Sequence, residues 1–200
     1  MKTIAKAYQI DLDIKKSQFI CRIFPVKNSK QAKELISLIS EKYSDASHNC
    51  SGYICYDGEG YDDDGEPSGT AGRPIINVLK QNSLENILAI VTRYFGGIKL
   101  GTGGLVRAYS KSVIEAIAIA DIIEMELYDI YNISFTYENI KIIDNEIRNY
   151  NITILDKKFE EKISYNIAIG KNKDITPFFE KIKSKINSEY IKEEYLKLDN

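Results

Sequence analysis

The feature of this sequence that most constrains its fold is a glycine-rich segment between an apolar run and a helix. Residues 93–109 contain five of the chain's 12 glycines, together with Arg93, Lys99 and Arg107. The apolar run Ile87–Val91 precedes the segment and is typical of a buried strand, and apolar residues at helical spacing follow it. A glycine-rich turn from a strand into a helix directs backbone N–H groups and the positive helix end toward one point, which favours an anion there. A tight turn without a ligand is the alternative.

The glycine-rich segment matches neither of the common nucleotide-binding loops. It contains no Gly-Lys pair, as a Walker A loop would require, and Val106 stands where a dinucleotide fingerprint has its last glycine. We therefore predict an anion site of another kind. Its candidate contacts are Arg73, Arg93, Lys99, Gly101, Thr102, Gly103, Gly104 and Arg107.

A second segment, residues 57–74, begins with clustered acidic residues and continues with small turn-forming residues. Mutual repulsion of the acids favours a solvated loop. Clustered carboxylates also suit a hard cation such as Mg²⁺, for which the candidate ligands are Asp63, Asp64 and Glu66. We further predict that this acidic loop lies beside the glycine-rich loop and balances Arg93 or Arg107 through exposed ion pairs. The rest of the candidate signature loop consists of Ser68, Gly69 and Thr70.

Residues 63–74 and 93–109 together resemble the signature pair of the IMPACT family, in its bacterial YigZ branch. The resemblance is expected to extend over the whole chain, although Gln18 and Asn49 depart from the family pattern. It implies a ribosomal-protein-S5-domain-2-like fold for the N-terminal part, with a mixed sheet and helices on one side. It also implies a role linked to the regulation of translation.

The pattern of elements predicts an α+β protein with two domains, residues 1–122 and 123–200. Glycine almost vanishes after residue 122, and the alternating and helical patterns beyond it follow the order β-α-β-β-α-β. That order predicts a ferredoxin-like C-terminal domain, with a turn near Asp156 and a closing strand over Tyr190–Leu198.

Composition narrows the compartment and the possible partners. The net charge is −2, yet outside the acidic segment the first 122 residues carry more basic than acidic side chains, so a local basic face is possible. The three cysteines form no C-x-x-C motif, and no apolar stretch is long enough for a membrane span or a secretion signal. These features predict a cytoplasmic protein without a disulfide framework or a membrane partner.

The sequence as a whole favours a non-enzymatic protein that binds RNA, the ribosome or another polyanion, with Tyr94 and Phe95 either stacking on bases or buried at the strand end. No serine, cysteine or lysine nucleophile with a neighbouring base is evident. No cofactor is expected. One alternative is an Mg²⁺-dependent enzyme that handles nucleotides or phosphates through the acidic loop, and another is a protein-interaction module. The oligomeric state is not predicted.

Overall fold

A computed structural model describes residues 1–197 and confirms an α+β protein. The described residues form two compact units, residues 1–124 and the residues from 125 onward. In order, the first unit contains β1 (Lys2–Ile4), β2 (Tyr8–Ile14), β3 (Ser17–Pro25), α1 (Ser29–Lys42), β4 (His48–Cys55), β5 (Gly58–Asp62), α2 (Gly72–Gln81), β6 (Ile87–Tyr94) and α3 (Thr102–Ala118). Then follow β7 (Ile122–Phe135), a 3-10 turn (Tyr137–Asn139), α4 (Ile140–Asn149), β8 (Thr153–Phe159), β9 (Ile163–Gly170), α5 (Thr176–Ile182) and β10 (Ile186–Lys197).

The main sheet of the first unit has the strand order β2-β3-β6-β4-β5, and every neighbouring pair is antiparallel. The apolar run Ile87–Val91 lies in the central strand β6 and is buried on both faces of the sheet. One face packs Leu88 and Ile90 against α1, and the other packs Ala89 and Val91 against α2 and α3. The expected mixed sheet is wrong, because every neighbouring pair of its strands is antiparallel. Helices cover both of its faces and not one, because β6 is apolar on both faces.

The start of α1 shows how local sequence fixes an element. Asn28 is the N-cap, and its side-chain oxygen accepts a hydrogen bond from the Gln31 N–H at 2.9 Å. The Gln31 side chain in turn accepts from the Lys27 N–H at 2.7 Å. The first bond satisfies a backbone donor in the first turn of the helix. The second resembles half of a capping box, except that its donor is the residue before the N-cap.

The sequence predicts one solvated loop from residue 57 onward, and the structure differs from that prediction. Residues 58–62 form the edge strand β5, paired with β4. Asp57 binds the start of α1 through the N–H and hydroxyl of Ser29, and Glu59 forms an exposed ion pair with Lys80. The loop proper runs only from residue 63 to residue 71, since α2 begins at Gly72.

The described part of the second unit has the predicted order β7-α4-β8-β9-α5-β10, with an antiparallel sheet in the order β10-β7-β9-β8. Its core is formed by apolar residues of the strands together with those of α4 and α5, such as Ile143 and Phe178. The predicted turn near Asp156 is wrong, because β8 continues to Phe159 and Asp156 lies at an irregularity in its register. The predicted end of the last strand, Leu198, lies outside the described residues.

The predicted domain boundary after residue 122 falls within β7, whose first three residues pair with β1 in the first unit. Separate folding of the two units stays a prediction. No helix within residues 1–197 combines the length and the apolar character that a membrane crossing requires.

Candidate functional site

Asp63 turns the acidic loop back onto the start of α2. Its Oδ1 accepts hydrogen bonds from the N–H groups of Ala71 at 3.0 Å and Gly72 at 2.8 Å. Its Oδ2 accepts from the Gly69 N–H at 2.7 Å. Backbone donors at a helix start have no partner within the helix, and a carboxylate there also meets the positive end of the helix dipole. The chain's own carboxylate therefore fills the N-terminal end of α2.

Asp64 ties the same loop to β4. Its Oδ2 accepts a hydrogen bond from the Asn49 N–H at 2.5 Å, and its backbone carbonyl lies 2.7 Å from Nδ1 of His48. Oδ1 of Asp62 accepts from the Asp64 N–H at 2.8 Å. Across the part of the chain that the structure describes, no group of three or more His, Cys, Asp or Glu side chains is placed to hold a metal ion. The geometry thus gives the predicted Mg²⁺ site at Asp63, Asp64 and Glu66 no support.

Glu66 is the centre of a buried polar cluster. Its Oε1 accepts hydrogen bonds from Nη1 of Arg93 at 2.6 Å and from the Tyr109 hydroxyl at 2.8 Å. Its Oε2 lies 3.8 Å from Nε2 of His48. The prediction that an acid of this loop balances Arg93 is correct, but the pair is not exposed, because only 3% of the Glu66 side chain is accessible. Removing one partner would leave a buried, uncompensated charge, which costs far more than an exposed pair contributes.

Arg93 is held from several sides in the interior of the first unit, where only 5% of the residue is accessible. Its Nη2 donates to the Ser17 hydroxyl at 3.4 Å, and its guanidinium lies over the rings of Phe19 and Phe95. Its Nε is buried and has no hydrogen-bond partner among the described residues. The prediction that Arg93 contacts phosphates therefore needs correction, because a ligand at the surface would have to break the pair with Glu66 to reach it.

Two further members of the cluster, Cys50 and Tyr109, are protonated structural groups. The Cys50 thiol donates to the Asp63 carbonyl at 3.0 Å, and its sulfur lies 3.3 Å from the Tyr109 hydroxyl. Burial raises the pKa of the Cys50 thiol and of the Tyr109 hydroxyl well above their ordinary values. At neutral pH the cluster therefore provides no thiolate nucleophile. Helical spacing after the glycine-rich segment accounts for the burial of Tyr109, but it gives no sign of the hydrogen bonds that its hydroxyl makes.

The glycine-rich loop leads into the start of α3, which differs from the start of α2. Gly101 is the N-cap of α3, with φ 74° and ψ 166°, a backbone conformation that is almost restricted to glycine. No side chain caps this helix. Thr102 and Gly103 are exposed in its first turn, and Gly104 is half-buried. The start of α3 is thus open to solvent where the start of α2 is filled.

Cations accompany this open helix end. Arg107 is exposed, and its Nη1 lies 3.6 Å from the point that a Cβ on Gly103 would occupy, so the guanidinium lies over the first turn of α3. Lys99 is exposed two residues before the cap, and Arg73 is exposed in the first turn of α2. Within residues 1–197, none of these three side chains takes part in an ion pair or a side-chain hydrogen bond.

The remaining predicted residues shape the acidic loop. Ser68 is exposed, and Gly69 has φ 76°. Thr70 is buried, and its hydroxyl donates to the Pro67 carbonyl at 2.6 Å. The structure thus brings the acidic-loop residues together with Arg93 and Tyr109, while Lys99 and Arg107 lie at the surface around the start of α3.

Comparison with known proteins identifies the family to which this chain is similar. Residues 15–117 match the family model described as the Impact N-terminal domain, and both signature loops lie inside the match. The chain is 39% identical over 170 residues to the IMPACT family member YvyE of Bacillus subtilis, covering 84% of this chain and 78% of that protein. It is 39% identical over 110 residues to the IMPACT family member YigZ of Escherichia coli, covering 52% of this chain and 54% of that protein.

A solved structure shares the fold. The crystal structure of a hypothetical protein aligns with a TM-score of 0.67 at 26% identity, covering 96% of this chain and 97% of the other. The family match covers more than half of the sequence and includes the residues that build the buried cluster and the open helix end. The chain belongs to the IMPACT family.

Proposed function

We propose that this protein is a non-enzymatic member of the IMPACT family that binds RNA, the ribosome or another polyanion and is linked to the regulation of translation. The observation that carries the proposal is the uncapped, exposed start of α3, where Lys99 and Arg107 have no partner among the described residues. The link to translation is supported by membership of the family, and we expect the protein to act in the cytoplasm.

Three physical contributions favour a phosphate at the start of α3. The first-turn N–H groups lack a side-chain acceptor, and the helix dipole favours negative charge there. Glycine at positions 101, 103 and 104 lets a phosphate approach the backbone closely. The Arg107 guanidinium supplies a fork of donors over the same turn, and Lys99 supplies a point charge.

We further propose that the two units have a ribosomal-protein-S5-domain-2-like fold and a ferredoxin-like fold, respectively. The first assignment rests on the family resemblance alone, and the antiparallel sheet with helices on both faces departs from what that resemblance implies. The second is supported by the strand order β10-β7-β9-β8 together with the order of the two helices along the chain.

The test is a salt titration of RNA binding with surface cations removed one at a time. Each phosphate contact releases counterions, so affinity should fall steeply as salt rises. Lys99→Ala, Arg107→Ala and Arg73→Ala should each flatten the slope of log K against log salt by about one unit, with little change in sequence preference. Lys141→Ala is the matched control, because Lys141 is an exposed lysine in the second unit without a partner among the described residues.

Binding that is absent or insensitive to salt would contradict the proposal. A protein-interaction module would show neither RNA binding nor nucleotide turnover. An enzyme would show Mg²⁺-dependent nucleotide hydrolysis that Asp64→Ala abolishes, and the same samples can be assayed for that turnover.

A further inference from the structure

An aromatic ring stands exposed at the end of the central strand β6. Phe95 directly follows β6 and is 48% exposed, although the strand before it is almost entirely buried. Single exposed aromatic residues are common on soluble proteins, so the Phe95 ring gains meaning only from the groups around it. Its neighbour Tyr94 is engaged differently, since its hydroxyl donates to Asp45 at 3.0 Å and the side chain is half-buried. Of the two aromatic residues considered for stacking, Phe95 has the more exposed side chain.

The backbone around this ring is fixed by hydrogen bonds. The Phe95 N–H donates to the Ser47 hydroxyl at 3.0 Å, and the Gly96 N–H donates to the Ser17 hydroxyl at 3.2 Å. The guanidinium carbon of Arg93 lies 5.5 Å from the ring centroid, and Arg93 is itself held by Glu66. The Phe95 ring is therefore in contact with an arginine that is itself fixed by a buried ion pair. A ring that is already ordered loses little conformational entropy when another flat group stacks on it.

The backbone of a tight lysine turn packs against the residue that follows Phe95. Lys15 and Lys16 form the turn between β2 and β3, with φ 48° and 66°. Gly96 packs so closely on this turn that a Cβ there would lie 1.7 Å from the Lys16 carbonyl oxygen. Glycine at 96 is therefore required for the turn to lie against the residue that follows Phe95. Both lysines are exposed and have no ion-pair partner among the described residues.

We propose that Phe95, flanked by Lys15 and Lys16, is a base-stacking site for single-stranded RNA. This inference rests on the proposed function and names the form of nucleic acid that it requires. Single strands offer both a flat base face and a phosphate backbone, and sites for them combine an aromatic ring with adjacent cations. Duplex RNA keeps its base faces stacked inside the helix and offers phosphates alone. The exposed ring therefore favours the single strand, while the lysines are neutral to that choice.

The experiment compares three probes on the same variants: a single-stranded oligouridylate, an RNA duplex of equal length, and inorganic polyphosphate. Phe95→Ala should weaken binding of the single strand about tenfold, the size of one lost base–aromatic stack. Its affinity for the duplex and for polyphosphate should not change. Phe95→Trp should retain single-strand binding, because it restores a stacking surface. Phe159→Ala is the matched control, since Phe159 is a phenylalanine 57% exposed in the second unit.

Lys15→Ala and Lys16→Ala address the flanking cations. Each should flatten the salt slope for the single strand by about one unit. A thermal melt like that of the wild type shows that each variant has folded.

The outcomes separate the two proposals. Salt-dependent binding of polyphosphate or RNA that Phe95→Ala leaves unchanged on every probe would overturn the stacking site and leave the anion site at α3 standing. Tighter binding of duplex than of single strand would also overturn the stacking site. No salt-dependent binding of any probe would overturn both proposals.

Discussion

The two helices that pack on one face of the main sheet begin in opposite ways. At the start of α2 the Asp63 carboxylate accepts hydrogen bonds from three backbone N–H groups. Asp64 and Glu66 hold the acidic loop that precedes the helix. At the start of α3, Gly101 has a backbone conformation that is almost restricted to glycine. The first turn after it is exposed and has no side-chain cap. At α2 the backbone N–H donors are satisfied within the protein, and this arrangement stabilises the fold. At α3 the donors and cations are left available, which is the property expected of a binding site.

The difference also separates the two sets of charged residues in the signature loops. Arg93 is buried and neutralised, whereas Lys99 and Arg107 are exposed and unpaired within the described part of the chain. Substitutions on the filled side should therefore change the free energy of unfolding. Substitutions on the open side should change affinity.

The largest expected effect on the filled side comes from Glu66→Ala. It leaves the buried Arg93 guanidinium without its counter-charge, and the Tyr109 hydroxyl loses its acceptor. We expect the free energy of unfolding to fall by about 3–5 kcal/mol, measured by chemical denaturation. Glu59→Ala is the control, because Glu59 forms an exposed ion pair with Lys80, and its loss should cost about 0–1 kcal/mol. Equal losses in the two variants would show that the Glu66 cluster does not stabilise the fold.

A smaller loss should follow from Asp63→Ala, which empties the start of α2. Three backbone donors lose their acceptor, and we expect a cost of about 1–2 kcal/mol in the same denaturation assay. Asp13→Ala is the control, since Asp13 is exposed in β2. RNA affinity should stay the same in both variants. A large loss of RNA binding in a folded Asp63→Ala protein would mean that the filled side belongs to the binding site.

Much of the fold could be predicted from the sequence because its signals are local. The continuous apolar run Ile87–Val91 predicts a buried strand, which is confirmed, and the start of α1 is likewise fixed by the local pair Asn28 and Gln31. The glycine-rich turn before α3 is also predicted from a local signal, and the structure confirms it. Helices on both faces of the sheet could not be predicted from such signals, since they depend on which elements cover β6 after folding.

The buried cluster was harder to predict because its partners come together only through the sheet. Glu66 stands among exposed acids in the sequence, and the arginine that neutralises it lies 27 residues further along the chain. One signal was present: Arg93 shares the strand parity of Ala89 and Val91, which face the core under α2 and α3. Period-two alternation therefore points Arg93 inward. A cation at an inward position requires a buried partner.

The central claim is that the open start of α3 binds the polyanion. The most direct test places a carboxylate at the start of α3, where α2 already has that of Asp63. Gly103→Asp places an acid in the exposed first turn of α3, beneath Arg107, and Gly103→Asn is its neutral control of matched shape. A carboxylate there complements the helix dipole, so the stability of the Asp variant should exceed that of the Asn variant by about 0.3–1 kcal/mol. In a salt titration with single-stranded RNA, the Asp variant should lose most of its affinity and the Asn variant should retain it. Equal RNA affinity in the two variants would contradict the claim that the open start of α3 binds the polyanion.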